Sequence, residues 1–140
     1  MGKNVTYKGS LNGTAPIYRP FPVNDSQTIK AGDIVVLATN KASIAADAAA
    51  AGTVLGIASN AITTTTATAT DLVYVDINPA SIYEMPYIGT GTVAIGNSYD
   101  MGAAAYQFDA DDTTGGYIKV VGNIDTTAKK ADVILGNRVF

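Results

Sequence analysis

Ile29-Lys-Ala-Gly-Asp-Ile-Val-Val-Leu37, Val54-Leu-Gly-Ile-Ala58 and Asp71-Leu-Val-Tyr-Val-Asp-Ile-Asn-Pro79 are three short apolar runs separated by two stretches of small residues. Branched aliphatics crowd Ile34 to Leu37 just after a tight Ala31-Gly32-Asp33 turn, which marks a strand. Val54 to Ala58 reads as a second strand. In Leu72 to Ile77, the aliphatic Val73, Val75 and Ile77 alternate with Leu72, Tyr74 and Asp76, so the first set is expected to face the core. The first spacer, Ala42 to Ala51, is alanine-rich with Ser43 near its start and Gly52 after its end, and predicts at most one short helix, at about residues 43–51, or a tightly packed loop in which small side chains let backbones approach. The second, Thr63 to Thr70, is nearly pure Thr and Ala and suits an exposed strand or wide hairpin.

Working outward, residues 1–24 hold Gly9, Gly13, Pro16, Pro20 and Pro22 and sustain no apolar period. They read as an extended N-terminal arm, with residues 25–140 as a single β-rich domain. Arg19-Pro-Phe-Pro22 is stiff, because each proline fixes its own φ and biases its predecessor toward extended geometry. Tyr18 and Phe21 on such an arm need a surface, supplied by their own domain or by a neighbour. Downstream, Tyr83 to Ile88 and Thr92 to Ile95 are expected strands. Tyr106 to Phe108 and Tyr117 to Val121 predict a hairpin around an Asp/Thr/Gly loop. Val133 to Leu135 and Arg138 to Phe140 are expected to close the chain as strand. Turn signals every ~10 residues and little helical periodicity give an all-β fold: a small β-barrel, β-tulip-like, or a sandwich.

A chain of 140 residues fits one domain burying roughly two thirds of its unfolded surface. It contains neither cysteine nor histidine. Those absences exclude Ser-His and Cys-His catalysis, imidazole-bound zinc and thiolate sites. Only Glu84 joins the aspartates as a carboxylate acid or base. The net charge is −3, and among the 9 Lys and Arg residues only Lys129 and Lys130 are adjacent, which argues against a nucleic-acid partner. The first residues carry no apolar core of a secretory signal, and the run Ile34 to Ala38 is far below the ~20 residues of a membrane span. A soluble protein without a membrane partner is expected.

Several motifs dissolve on inspection. Gly91-Thr-Val-Ala-Ile-Gly96-Asn97-Ser98 has Walker A spacing, but Asn97 stands where the phosphate-binding lysine belongs. Asp109, Asp111 and Asp112 offer oxygen ligands to a hard cation, yet lack the order and the late glutamate of an EF-hand, and read as a hairpin tip. Asn4-Val5-Thr6, Asn12-Gly13-Thr14 and Asn24-Asp25-Ser26 are formal glycosylation acceptors that read as turn residues. The eight tyrosines are spread along the chain as strand residues are. No catalytic, cofactor-binding or metal-binding residue is assigned.

The order Ile29-Lys-Ala-Gly-Asp33-Ile-Val-Val-Leu37, Val54-Leu-Gly56-Ile-Ala58, Thr70-Asp-Leu-Val-Tyr-Val75 and Pro79, followed by Tyr83-Glu84 and Ile95-Gly96, resembles tailed-bacteriophage capsid decoration proteins over about two thirds of the chain. The resemblance implies a non-enzymatic virion protein, made in the host cytoplasm, that binds the major capsid protein on the outer surface of the head. It further implies a homo-oligomer, with a trimer favoured, that stabilises the shell by bridging neighbouring capsid subunits. Tyr18, Arg19, Pro20 and Phe21 in the arm are the expected partner-binding residues. The alternative is a phage fibre or adhesin-type β domain that binds surface glycans. A biotinyl-carrier-like barrel shares the Gly-Asp turn, but no hairpin here presents the lysine it needs.

Overall fold

The computed structural model describes residues 5–47 and 49–140. In chain order its strands are Thr6–Ser10 (β1), Tyr18–Pro22 (β2), Thr28–Ile29 (β3), Ile34–Ala38 (β4), Lys41–Ile44 (β5), Val54–Ala58 (β6) and Ile62–Thr63 (β7). Leu72–Asp76 (β8), Ser81–Ile88 (β9), Ser98–Tyr99 (β10), Phe108–Asp109 (β11), Ile118–Asp125 (β12) and Lys130–Leu135 (β13) follow. One sheet runs β1-β9-β13-β12-β10, with β11 alongside β9, and a second runs β2-β8-β6-β4-β5; β3 and β7 form a separate two-stranded ribbon. The sheets do not close on themselves, so the all-β fold is sandwich-like and not the barrel.

The second sheet is apolar on both faces, and that sets the layering. Ile34, Val54 and Ile57 point to the first sheet, where they meet Tyr83, Met85, Tyr87, Ile118, Val120 and Val133 in the main core. Val35, Leu55, Ala58, Val73 and Val75 point the other way and pack with Ile29, Val23 and Ile62 under the ribbon. The expected core face of β8 is therefore real, with Val73 and Val75 fully buried and Ile77 packed against the same cluster.

Two successive aliphatics facing opposite ways on either side of Gly56 need a phase correction in β6. The ladder to β4 slips by one residue between Val35 and Val36, which puts one extra residue into β6. That residue lets Val54 and Ile57 both reach the main core while Leu55 and Ala58 both reach the second. Gly56 has φ +150, and a Cβ there would overlap the carbonyl oxygen of Asp76 on β8. Only glycine fits.

The structure corrects several expectations. Among the described residues there is no helix, which the expectation of at most one allows, and of residues 43–51 the first two end strand β5. Ala48 lies outside the described residues. The strand wins because Ala42 is fully buried opposite Leu37 in the second cluster, a place that a ten-residue helix without docking could not fill. Thr92 to Ile95 is irregular: Val93 is buried, and the Tyr99 hydroxyl satisfies the Thr92 carbonyl and the Ala94 amide at 3.1 Å each.

Phe108 does not form a hairpin with Tyr117 to Val121. It pairs in parallel with Tyr87, because its ring is buried between Tyr87 and Tyr99 at centroid distances of 5.0 and 5.4 Å. Strand β12 pairs instead with β13 and β10. Arg138 makes one bridge to Val54, and the chain from it to Phe140 is not a strand. The threonine tract contributes only Thr63 to a strand. Beyond it the loop is clasped onto residues 24–27: buried Thr64 donates to the Asn24 carbonyl at 2.6 Å, and the Ala67 amide donates to Asp25 at 2.8 Å. Within residues 1–24, where no element was expected, β1 and β2 are strands of the two sheets.

Candidate functional site

Tyr18, Arg19, Pro20 and Phe21 lie together on β2, paired antiparallel with Asp76, Val75, Tyr74 and Val73 of β8. The strand is at the edge of its sheet. The Ile77 amide donates to the Ile17 carbonyl and the Val23 amide to the Asp71 carbonyl, at 2.8 and 3.0 Å, so odd-numbered positions bond inward. By strand alternation Pro20 and Pro22 turn their missing N–H groups away from β8. Past Pro22 that side is already taken by β5, where Val23 bridges Ala42 and the Asn24 amide donates to the Ala42 carbonyl at 3.0 Å, so it is Pro20 that faces an unpaired edge and opposes addition of a further strand.

Side chains split the four residues. Tyr18 is 50% exposed, and Arg19 and Pro20 are also exposed. Phe21 is half-buried against the second core cluster, with its ring 6.3 Å from that of Phe140. Arg19, Pro20, Phe21, Ile77 and Phe140 line a small groove of about 110 Å³, less than a drug-sized ligand occupies. Tyr74, which faces Pro20 across the ladder, is 45% exposed, and Ile17 and Tyr7 are exposed too. By alternation Tyr18 and Tyr74 form an aromatic strip on one face of the edge, while Ile17 and the Arg19 guanidinium lie on the other.

Beneath the strip sits a carboxylate that sequence alternation assigned to the outward face. Asp76 is 1% exposed. Its Oδ1 accepts from the Ile17 and Asn78 amides at 3.0 Å each, and its Oδ2 accepts from the Tyr83 hydroxyl at 2.7 Å. Burial first, then the bond to Asp76 and its charge, push the Tyr83 hydroxyl far above its ordinary range. Tyr7 packs edge-on against Tyr83 at 5.6 Å. Arg138 donates to the Leu55 carbonyl at 2.9 Å; burial lowers its pKa while the Asp76 charge draws it back up. Asp76 thus ties the residue just before β2 to β8 and β9. The signal for this was present in Asp76-Ile-Asn78-Pro79, an Asx-turn pattern that ends a strand.

The remaining sequence candidates are scattered away from this strip. Asp109 accepts from the Asp111 amide and Asp112 from the Thr114 amide, each capping its own turn, while Asp111 accepts from the Thr90 and Gly91 amides and ties this loop to the one after β9. Among the described residues no group of three or more acidic side chains is arranged to hold a metal. A cleft of about 450 Å³ lies beside Gly89 to Val93, where Lys129 crosses the Tyr87 ring and donates to the Gly89 carbonyl. A second cleft, of about 370 Å³, is walled by Ala103, Ala104 and Ala105 with Asp33 at its side. Burial raises the pKa of Asp33 against the opposing pull of the Lys30 amide.

No protein-family model matches the chain, and no curated protein sequence matches it.

Proposed function

We propose that this chain is a structural virion protein that binds the outer surface of a tailed-phage capsid and stabilises the shell by bridging neighbouring major capsid subunits. The observation that carries the reading is the exposure of Tyr18 and Arg19 on edge strand β2, with exposed Ile17 just before it and exposed Tyr74 on the adjoining β8, at an edge where Pro20 opposes strand addition. Tyrosine and arginine are the residues that anchor protein interfaces, because each brings a large contact area with a polar handle. A rigid mount lowers the entropy lost on docking. Absence of both histidine and cysteine from the sequence removes the commonest acid-base and nucleophilic groups, which agrees with a mechanical role.

In this reading each copy contributes a modest interface, roughly 800 Å² per partner, and repetition over the lattice makes the sum effective. The protein acts as a homo-oligomer, with a trimer favoured, and Arg19 seeks a carboxylate of the capsid surface. Binding only to the assembled shell raises the shell's stability by mass action.

The test is occupancy. Heads lacking the protein are mixed with wild type, Tyr18→Ala or Arg19→Ala, pelleted, and the bound copies counted. Both side chains are exposed, so the variants keep the fold, and bound copies should drop at least tenfold, as expected for the loss of an interface anchor. Phe21→Ala is a poor probe, since Phe21 also packs in the second cluster. Undiminished occupancy in both variants overturns the proposal, and selective binding on a glycan array would favour the adhesin reading.

A further inference from the structure

The Asn12-Gly13-Thr14 turn joins β1 to β2 and is not used by the proposed interface. Asn12-Gly13 is the single Asn-Gly pair in the chain. In the structure three donors converge on the side-chain carbonyl oxygen of Asn12: the Thr14 hydroxyl at 2.6 Å, the Thr14 amide at 3.2 Å and the Ser10 hydroxyl at 3.3 Å. Asn12, Gly13 and Thr14 are all exposed. Gly13 has φ +76, and a Cβ placed on it would meet nothing, so no neighbour crowds its α-carbon.

We propose that Asn12 is a self-modification site, at which the folded turn drives conversion of the amide to aspartate and isoaspartate through a cyclic imide with Gly13. The Gly13 nitrogen gives its proton to solvent and attacks Cγ of Asn12. Charge builds on Oδ1 in the tetrahedral intermediate, where the three donors already point, as in an oxyanion hole. The Cγ–Nδ2 bond then breaks, and the nitrogen takes up a proton and leaves as ammonia. Water adds to either carbonyl of the imide and opens it, giving an α- or β-linked aspartate. No oxidant, metal or cofactor takes part.

The consequence is local and directional. Asn78 donates to the Thr14 hydroxyl at 2.8 Å and to the Ala15 carbonyl at 3.0 Å, which fixes the turn against β8 just before Ile17. A β-linkage adds a methylene to the backbone just before these anchors, and either product adds a negative charge. The modified turn would hold the start of β2 less firmly.

The ordinary role of such a turn is to rigidify the loop, and a rigid loop slows imide formation relative to the unfolded chain. The two therefore differ in sign. The full-length protein is incubated under native conditions and in urea, and the peptide containing residue 12 is followed by mass spectrometry for the amide-to-acid mass gain and by isoaspartate labelling. Faster conversion in the native protein is expected. Ser10→Ala, which leaves the Asn78 contacts intact, and Thr14→Val should each slow native conversion, by about fivefold for the shorter Thr14 bond, with no effect in urea, and Thr14→Ser should restore the rate. Slower conversion in the native protein than in urea, or native rates unchanged in both Ser10→Ala and Thr14→Val, overturns the inference.

Discussion

The Tyr83 hydroxyl donates to the buried Asp76 carboxylate at 2.7 Å, and through that bond β9 of the first sheet is fastened to β8 of the second. The same carboxylate receives the Ile17 amide, so one side chain joins both layers and the strand that carries the candidate interface. Asp76→Asn turns one acceptor into a donor facing the tyrosine and strips Arg138 of its nearby negative charge. The expected loss is about 3 kcal/mol by chemical denaturation, against about 1–2 kcal/mol for Tyr83→Phe. Hydrogen exchange at the Ile17 amide should accelerate in both variants, and more in Asp76→Asn. Equal, negligible losses would show that the network contributes nothing net.

Alkaline pH offers an independent reading of the same hydroxyl. Burial raises Tyr83 and Tyr117 above the ordinary tyrosine value of 10.0, with the Asp76 bond and the charges of Asp100 and Asp47 adding to the shifts. Below that value both states hold the proton and stability is unaffected. Above it the unfolded chain releases two protons that the folded chain keeps, so stability falls as pH rises, at about 1.4 kcal/mol per pH unit for each tyrosine. Urea midpoints measured upward from pH 9 should decline steeply beyond pH 10, and Tyr83→Phe should halve the slope.

Gly56 makes a sharper prediction, because space and backbone both oppose a side chain there. Gly56→Ala drives a methyl into the Asp76 carbonyl at φ +150, and should cost at least about 3 kcal/mol. Gly52, with φ +77 and open space around it, is the control: Gly52→Ala should cost only the backbone penalty, about 1–2 kcal/mol. Thermal unfolding of the two variants separates steric collision from backbone strain.

Three strands of the second sheet were legible, β4 and β6 because short apolar runs follow turn residues and β8 because periodicity two survives in Leu72 to Ile77. Gly56 stood out as a glycine inside an apolar run, yet its reason, the carbonyl of Asp76, comes from a strand about twenty residues away. The misread segments share a different cause. Phe108 is held by the rings of Tyr87 and Tyr99, Val93 by the Tyr99 hydroxyl, and the threonine tract by Asn24 and Asp25. Such long-range partners override local pattern. At the candidate site, Arg19-Pro-Phe-Pro22 announced stiffness and exposed aromatics, while alternation alone could not tell that Asp76 is covered by Tyr83.

Pro20 of β2 is the last feature whose function is open to direct test. With Pro20 turned to the unpaired edge, β2 offers no N–H there to an incoming strand, although its pairing with β8 is complete and β5 already occupies the edge past Pro22. Replacing Pro20 with threonine restores the donor without disturbing the inward ladder, and threonine fits a strand well. The Pro20→Thr variant should unfold within about 1 kcal/mol of wild type. It should nevertheless self-associate, seen as a concentration-dependent rise in light-scattering mass with added strand signal in circular dichroism. If it stays at the wild-type mass over the same concentrations, Pro20 serves to stiffen β2 rather than to close its edge.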